Sequence, residues 1–460
     1  MMVGYLFLAI LLAAIAGYVV NSRAAQARAL GAGARFHSLP GFHGAYALFL
    51  TGLPAFLFVL AWLAFQGPII DAIVMASLPE DGVAGLEPGK LSLIVAEVKS
   101  IAGGAVFGTP EPWKYAAAEY YGSLRGTFAA ALWACALVIC GIGLFVARSR
   151  VAPDFRARHR VEHITSGIMI ACAGLAILVT GGIVASLVYE SIRFFEQVPI
   201  AEFLFGLNWE PQIALRPDQI AGAGAFGWLP VFLGTIVITA VALLVSLPIG
   251  LLSAIYLNEF ASARIRSLGK PMLEILAGVP TVVYGFFAVL VVAPAIRNAG
   301  QTIGLDVSPN TALAAGGVMG IMLIPFISSF TDDALSAVPR SLRDGSLALG
   351  ATRGETMTKV LFPAAIPGIV GGVLLAVSRA IGETMIVVMA AGLIATMTIN
   401  PLDSVTTVTV QIVTLLIGDT EFDNPKTLAA FALGMMLFLV TLALNVIALR
   451  VVRKYRELYD

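Results

Sequence analysis

Long apolar runs separated by polar stretches dominate the chain. Nine of these runs approach the roughly 20 residues that a helix needs to cross about 30 Å of hydrocarbon. They lie near residues 3–21, 42–66, 125–147, 164–189, 228–257, 272–295, 311–330, 367–392 and 427–449. Proline inside several runs is compatible with membrane helices, because neighbouring helices can satisfy the freed backbone groups. The pattern predicts an all-α, polytopic membrane protein with nine transmembrane helices.

The composition agrees with a membrane protein and gives no indication of a nucleic-acid, metal-binding or disulfide-rich protein. Of the 460 residues 59% are hydrophobic and only 12% are charged, whereas a soluble domain carries about 25% charged residues. The net charge of zero gives no reason to expect a nucleic-acid partner. The three cysteines lie inside apolar runs without the spacing of ligand pairs, so we expect neither a metal site nor a disulfide framework.

The distribution of basic residues predicts the orientation. No Lys or Arg precedes Arg23, which favours an uncleaved first helix over a secretory signal. Alternate loops carry 19 Lys and Arg against 7 in the remaining loops, and the richer set comprises 22–41, 147–163, 258–271, 331–366 and 450–460. Basic loops remain in the cytoplasm. We therefore expect a periplasmic N-terminus and a cytoplasmic C-terminus.

A basic, proline-containing linker at 147–163 interrupts the apolar pattern and suggests a division of the chain. Residues 1–150 are predicted to form an N-terminal extension with three transmembrane helices and an acidic periplasmic loop. Residues 151–460 are predicted to form a second domain with six transmembrane helices.

The cytoplasmic loop at 331–366 has the pattern of a structured element. It contains SLRDGSLALGATRGETMTKVLFPAAIPG, in which apolar residues recur at helical spacing. Gly350 interrupts the pattern, and we expect Pro363 and Pro367 to end it. The sequence predicts two short helices along the membrane surface with a sharp turn between them.

The spacing in this loop resembles the EAA loop of ABC-importer permeases. Asp344, Gly345 and Ser346 stand at the E-A-A positions, followed at the family spacing by Gly350 and Pro363. Asp replaces Glu and Gly-Ser replaces Ala-Ala. The resemblance implies that these five residues couple the permease to an ATPase subunit that docks on the loop. The alternative is an interfacial amphipathic helix without a partner.

A second segment is more specific. Residues 376–385, AVSRAIGETM, resemble the GRAxGETMA segment of phosphate-specific permeases of the PstC and PstA type, and the resemblance extends over about 160–460. It implies a six-helix permease core of the type I ABC-importer fold, with the order of the chain favouring PstC. The three N-terminal helices are additional to that core.

The same resemblance implies an ATP-driven importer of inorganic phosphate in the bacterial inner membrane. The chain has no Walker motif, so ATP would be bound and hydrolysed by a partner, and this chain would have neither catalytic residues nor a cofactor. The implied partners are a PstA-like second permease subunit, a PstB-like ATPase dimer, a PstS-like periplasmic phosphate-binding protein and membrane lipid.

Arg379, Glu383 and Thr384 are the predicted pathway residues. The two charges fall inside the predicted eighth helix, where each costs at least about 2.5 kcal/mol. At i,i+4 spacing they would share one helix face and pair. The structural interpretation is a salt bridge that locks helices together. The functional interpretation is that Arg379 donates to phosphate oxygens, while Glu383 accepts from the P–OH and repels sulfate.

Other classes of function remain open from the residues alone. An ABC permease could carry another oxyanion, such as sulfate or molybdate. A secondary transporter driven by an ion gradient would need no coupling loop. A membrane-bound enzyme is disfavoured, because the sequence contains no nucleophile–base constellation or metal-ligand cluster.

Overall fold

The computed structural model describes residues 2–32, 36–79, 88–106, 108, 110–212, 224–417 and 423–456. Within these residues nine helices are long and apolar enough to cross a membrane, which confirms the predicted number. The chain forms two compact units, Met1–Leu178 and Val179–Asp460. The boundary lies inside one long helix. The proposed separation of functional modules at residues 150 and 151 stays a prediction.

The first unit is a helical bundle. Its helices are α1 (Met2–Ala32), α2 (Pro40–Ala76), α3 (Pro88–Ala102), α4 (Pro112–Ser149) and the first part of α5 (Ala157–Gln197). Proline stands in the first turn of both α2 and α4, where its missing N–H would have no intrahelical partner. The core between α1, α2 and α4 consists of Leu6, Ile10, Ala55, Val59, Leu132, Ala136 and Cys140.

In its described residues the second unit contains the rest of α5 and twelve further helices. They are α6 (Ile200–Phe205), α7 (Leu229–Ile255), α8 (Ala263–Ala277), α9 (Thr281–Phe287), α10 (Ala293–Thr302), α11 (Ala312–Ala337), α12 (Arg340–Ala348), α13 (Arg353–Thr356), α14 (Phe362–Ile381), α15 (Met385–Ala390), α16 (Val408–Leu416) and α17 (Pro425–Arg456). Two short antiparallel strands, β1 (Trp209–Glu210) and β2 (Ala225–Phe226), follow α6.

Three π-helical turns widen the helices of this unit, at Tyr256–Phe260, Ala288–Val292 and Met357–Leu361. The first extends α7 and the third leads into α14. Of the nine membrane-length helices in the described residues, α11 is the most deeply buried. It packs closely on α7 because Gly320 of α11 lies against the backbone of Ala242, where an added Cβ would be 2.8 Å from the carbonyl oxygen. The core of the unit is therefore built around the α7–α11 pair.

Two of the predicted helices are interrupted in the structure. The sixth was expected at 272–295, but the membrane-length helix is Thr281–Thr302, and the amphipathic α8 precedes it. The helical conformation is interrupted at Gly278-Val279-Pro280, and Pro280 is the N-cap residue of α9. The eighth was expected to continue to residue 392, but α14 ends at Ile381. This second difference reshapes the predicted site.

Candidate functional site

The predicted eighth helix is interrupted in the GET segment. α14 ends at Ile381, and Gly382 and Glu383 donate their N–H groups to the carbonyls of Ser378 and Ala380. α15 then begins at Met385. The hydroxyl of Thr409, in α16, donates to the Glu383 carbonyl at 2.8 Å. Irregular backbone at membrane depth is found where it is buried in protein or lines a cavity.

Arg379 lies in the last turn of α14, with its guanidinium carbon 4.4 Å from the centre of the Phe326 ring. Phe326 is fourteen residues from Ala312 and eleven from Ala337 along α11, or about 21 and 17 Å from the two ends at 1.5 Å per residue. Arg379 is therefore near mid-membrane. Among the described residues, no acceptor receives a hydrogen bond from its guanidinium, and the side chain is exposed. Its five donors are available to an anion.

The Glu383 carboxylate lies at the start of the helix that follows the break. Its Oε1 accepts from the N–H groups of Met385 and Ile386, at 3.0 and 3.4 Å, so the carboxylate caps α15. Both Arg379 and Glu383 are described residues, and no ion pair joins them. The prediction that they share one helix face and pair was wrong, because the helix ends between them. Thr384 stands at the break, half-buried, with its hydroxyl 3.5 Å from the Gly382 carbonyl.

The loop predicted at 331–366 is shorter than expected, because α11 continues to Ala337. Its first helix is α12, and Gly350 follows with φ +87°. Gly350 donates to the Leu347 carbonyl at 3.0 Å, and Ala351 donates to the Ser346 carbonyl at 3.2 Å. These two bonds form a Schellman motif, in which glycine supplies the left-handed residue. The predicted sharp turn at Gly350 is confirmed.

Asp344 and Gly345 lie on the exposed surface of α12. Ser346 is half-buried, and its hydroxyl lies 3.0 Å from that of Thr356 at the end of α13. Leu349, beside the turn, has 92% of its surface exposed. The role of these residues in ATPase coupling stays a prediction.

Pro363 does not end the second helix, contrary to expectation. It stands in the first turn of α14, directly after the π-helical turn Met357–Leu361. Phe362 donates there to the Met357 carbonyl, five residues back. The widened turn allows the helix to continue although Pro363 has no N–H to donate. α13, the π-helical turn and α14 therefore form one membrane-length helix, Arg353–Ile381.

Three features of the site were not predicted from the sequence. Phe326 under Arg379 and Thr409 at the break come from distant segments. The carboxylate of Glu259 pairs with Arg343 of α12 and is almost completely buried, at 4% exposure. A glutamate at the end of an apolar run was a possible signal for this pair, but nothing local indicates its partner.

Two family models match the chain in succession. Residues 7–179 match the model described as a phosphate ATP-binding cassette transporter. Residues 246–457 match the model of the inner membrane component of binding-protein-dependent transport systems. The membrane fold and the projecting α12–α13 element thus belong to a subunit of the ABC-transporter permease class.

Curated relatives narrow this class. A probable ABC transporter permease, YqgH of Bacillus subtilis, is 33% identical over 276 residues, covering 60% of this chain and 85% of the relative. The phosphate transport system permease PstC of Mesorhizobium japonicum is 30% identical over 296 residues, covering 60% of this chain and 86% of the relative. The chain belongs to the PstC-type family of ABC-transporter permeases.

Solved structures of ABC transporters align with the chain at low sequence identity. A bacterial alginate ABC transporter aligns over 64% of this chain and 97% of its own, with 14% identity and a TM-score of 0.45. A MetNI methionine ABC transporter aligns over 50% of this chain and 94% of its own, with 19% identity and a TM-score of 0.37.

Proposed function

We propose that this chain is the translocating subunit of an ATP-driven importer that carries inorganic phosphate into the cytoplasm. The observation that carries the proposal is the Arg379 guanidinium, which stands at mid-membrane beside a helix break without an acceptor among the described residues. An unpaired cation at that depth is costly. A passing oxyanion would relieve that cost by accepting its hydrogen bonds.

The cation–π contact with Phe326 supports this role. An aromatic face attracts the guanidinium without accepting hydrogen bonds in the guanidinium plane. The N–H groups at the edge of the guanidinium therefore remain available to a second partner. Because phosphate oxygens match the planar fork of arginine, two parallel hydrogen bonds can form. Lysine at this position would keep the charge but lose that geometry.

Glu383 enters the proposal in a second capacity. One oxygen caps α15, and its carboxylate charge stands four residues from Arg379. Phosphate at neutral pH retains a proton and can donate to a carboxylate, whereas sulfate has no such donor. Glu383 would thus disfavour sulfate by repulsion.

The assembly and orientation follow from the same proposal. A PstA-like second permease subunit completes the pathway, a PstB-like ATPase dimer docks on α12, and a PstS-like binding protein delivers phosphate from the periplasm. The chain lies in the bacterial inner membrane with its N-terminus periplasmic and its C-terminus cytoplasmic. The relation to PstC-type permeases and the basic residues of alternate loops support this arrangement.

The test is ATP-dependent phosphate uptake into vesicles that contain the assembled complex. We expect Arg379→Met to lower uptake per inserted complex by about tenfold to a hundredfold, the loss of a hydrogen-bonded charge. Arg379→Lys should fall between this variant and the unaltered protein. Glu383→Gln should remain folded, because an amide oxygen can still cap α15, and sulfate should then compete more strongly.

Arg297→Met is the matched control, because Arg297 is exposed on α10 and removed from the break. Uptake that Arg379→Met leaves unchanged contradicts the role of Arg379. Uptake that follows an ion gradient and needs no ATP would instead assign a secondary transporter. Stimulation of hydrolysis by sulfate or molybdate, and not by phosphate, would assign another oxyanion.

A further inference from the structure

One charged contact joins the docking helix α12 to the end of α7. α12 has no buried residue of its own, and its backbone packs mainly against the segment that follows it. Among its charged side chains in the described part of the chain, Arg343 alone has an ionic partner, the carboxylate of Glu259. The hydrogen bond between Ser346 and Thr356 joins α12 to α13, the start of the membrane-length helix Arg353–Ile381, and not to α7.

Glu259 occupies an unusual place. It lies in the π-helical turn Tyr256–Phe260, at the end of α7, and π-helical turns occur frequently at functional positions. Its side chain is 4% exposed, against 36% for Arg343. A carboxylate this deeply buried needs a cation, since leaving it unpaired is strongly unfavourable. The pair therefore holds α12 at a defined position relative to α7.

The same π-helical turn is tied to two further helices. The Asn258 amide donates to Asp332 of α11 at 2.7 Å and to the Ser336 hydroxyl at 3.1 Å. Arg266 of α8 donates to the Asn258 carbonyl at 2.8 Å, and Lys270 of α8 pairs with Asp332. A displacement of the turn would therefore reach α7, α8 and α11 together.

We propose that Arg343 and Glu259 are positioning residues that transmit the movement of the docked ATPase from α12 to α7. The inference rests on the proposed function, because it requires an ATPase on α12. Coupling is then a property of the ion pair rather than of docking alone. The ATPase can bind without the pair, but its movement then no longer reaches α7, α8 and α11, and the state of these helices no longer changes ATP hydrolysis.

The experiment measures how many-fold a phosphate-loaded binding protein stimulates ATP hydrolysis by the assembled complex. We expect Arg343→Met and Glu259→Gln each to lower this stimulation by about tenfold, within the range of allosteric coupling between sites. The ATPase should still co-purify, and hydrolysis without binding protein should remain. Arg264→Met is the control, because this arginine is exposed on the neighbouring α8 and outside the network.

A structural role alone predicts another result. Joint replacement by Arg343→Met and Glu259→Met removes both charges, so it should restore the stability that Arg343→Met loses by leaving the Glu259 carboxylate buried and unpaired. If the pair transmits movement, this double variant folds and remains uncoupled. If stimulation returns with folding, the inference is overturned. If the unaltered complex itself shows no phosphate-stimulated hydrolysis, the proposed function is refuted, and this inference, which requires it, is refuted with it.

Discussion

At the scale of single residues, backbone conformation decides the shape of the docking element. Gly350 has φ +87° and nothing within 4 Å of an added Cβ. A side chain there would meet no neighbour, so the cost of a substitution comes from the left-handed backbone alone. Gly354, in α13, also has open space around it but an ordinary helical backbone. The two glycines therefore separate backbone strain from steric conflict.

We predict that Gly350→Ala destabilises the α12–α13 turn by about 1–2 kcal/mol and weakens ATPase binding, with a larger effect for the β-branched Gly350→Val. Gly354→Ala should be neutral or stabilising, because alanine favours a helix over glycine. The measurements are co-purification of the ATPase and thermal unfolding of the solubilised chain. Equal behaviour of the two alanine variants would contradict a requirement for positive φ at Gly350.

At the scale of elements, glycines allow helices of the first unit to approach closely. In α4 an added Cβ at Gly143 would overlap the backbone of Leu50 and Thr51 in α2, whereas Gly141 has open space. Membrane helices depend on such small residues, since the lipid offers no hydrophobic drive for their association. The α2–α4 contact is thus determined by one face of α4.

We predict that Gly143→Ala destabilises the first unit by about 1–3 kcal/mol, the usual effect of overpacking, because the two helices must separate. Gly141→Ala is the matched control on the same helix and should leave stability unchanged or raise it. Thermal unfolding of the purified protein measures both. A normal unfolding temperature for Gly143→Ala would show that α2 and α4 can separate without loss.

At the scale of the whole molecule, the alternation of basic loops predicts the orientation of every helix. Ser92 of α3 and Ser341 of α12 are both exposed. Ser92 lies in a segment predicted on the periplasmic side of the membrane, and Ser341 in one predicted on the cytoplasmic side. For labelling, Cys135, Cys140 and Cys172 are first replaced by alanine, since two of them are exposed. The labelled positions then report only the chosen sites.

We predict that Ser92→Cys reacts with an impermeant thiol reagent from the periplasmic side and Ser341→Cys from the cytoplasmic side. Intact cells and inverted inner-membrane vesicles supply the two sides. Labelling of both cysteines from one side would refute the orientation. It would also remove α12 from the face on which an ATPase can dock.

Much of the fold follows from the sequence, because each membrane helix needs a continuous apolar run and each run is a local property. Gly350 was predictable for the same reason, since a glycine between two helical patterns calls for a sharp turn. The start of the sixth helix was not predictable from hydropathy. Gly278-Val279-Pro280 lies within an apolar run, and only the packed structure separates amphipathic α8 from α9.

Tertiary structure decided the chemistry of the site. The spacing of Arg379 and Glu383 indicates an ion pair only if the helix continues, and α14 ends at Ile381. Glu383 caps α15, and the Thr409 hydroxyl donates a hydrogen bond to the Glu383 carbonyl at the helix break. The Phe326 ring makes a cation–π contact with Arg379. Glu259 likewise finds Arg343 across 84 residues. The apolar runs and the glycine turn were local and readable from the sequence, whereas these partners depend on which distant segments the packed helices bring together.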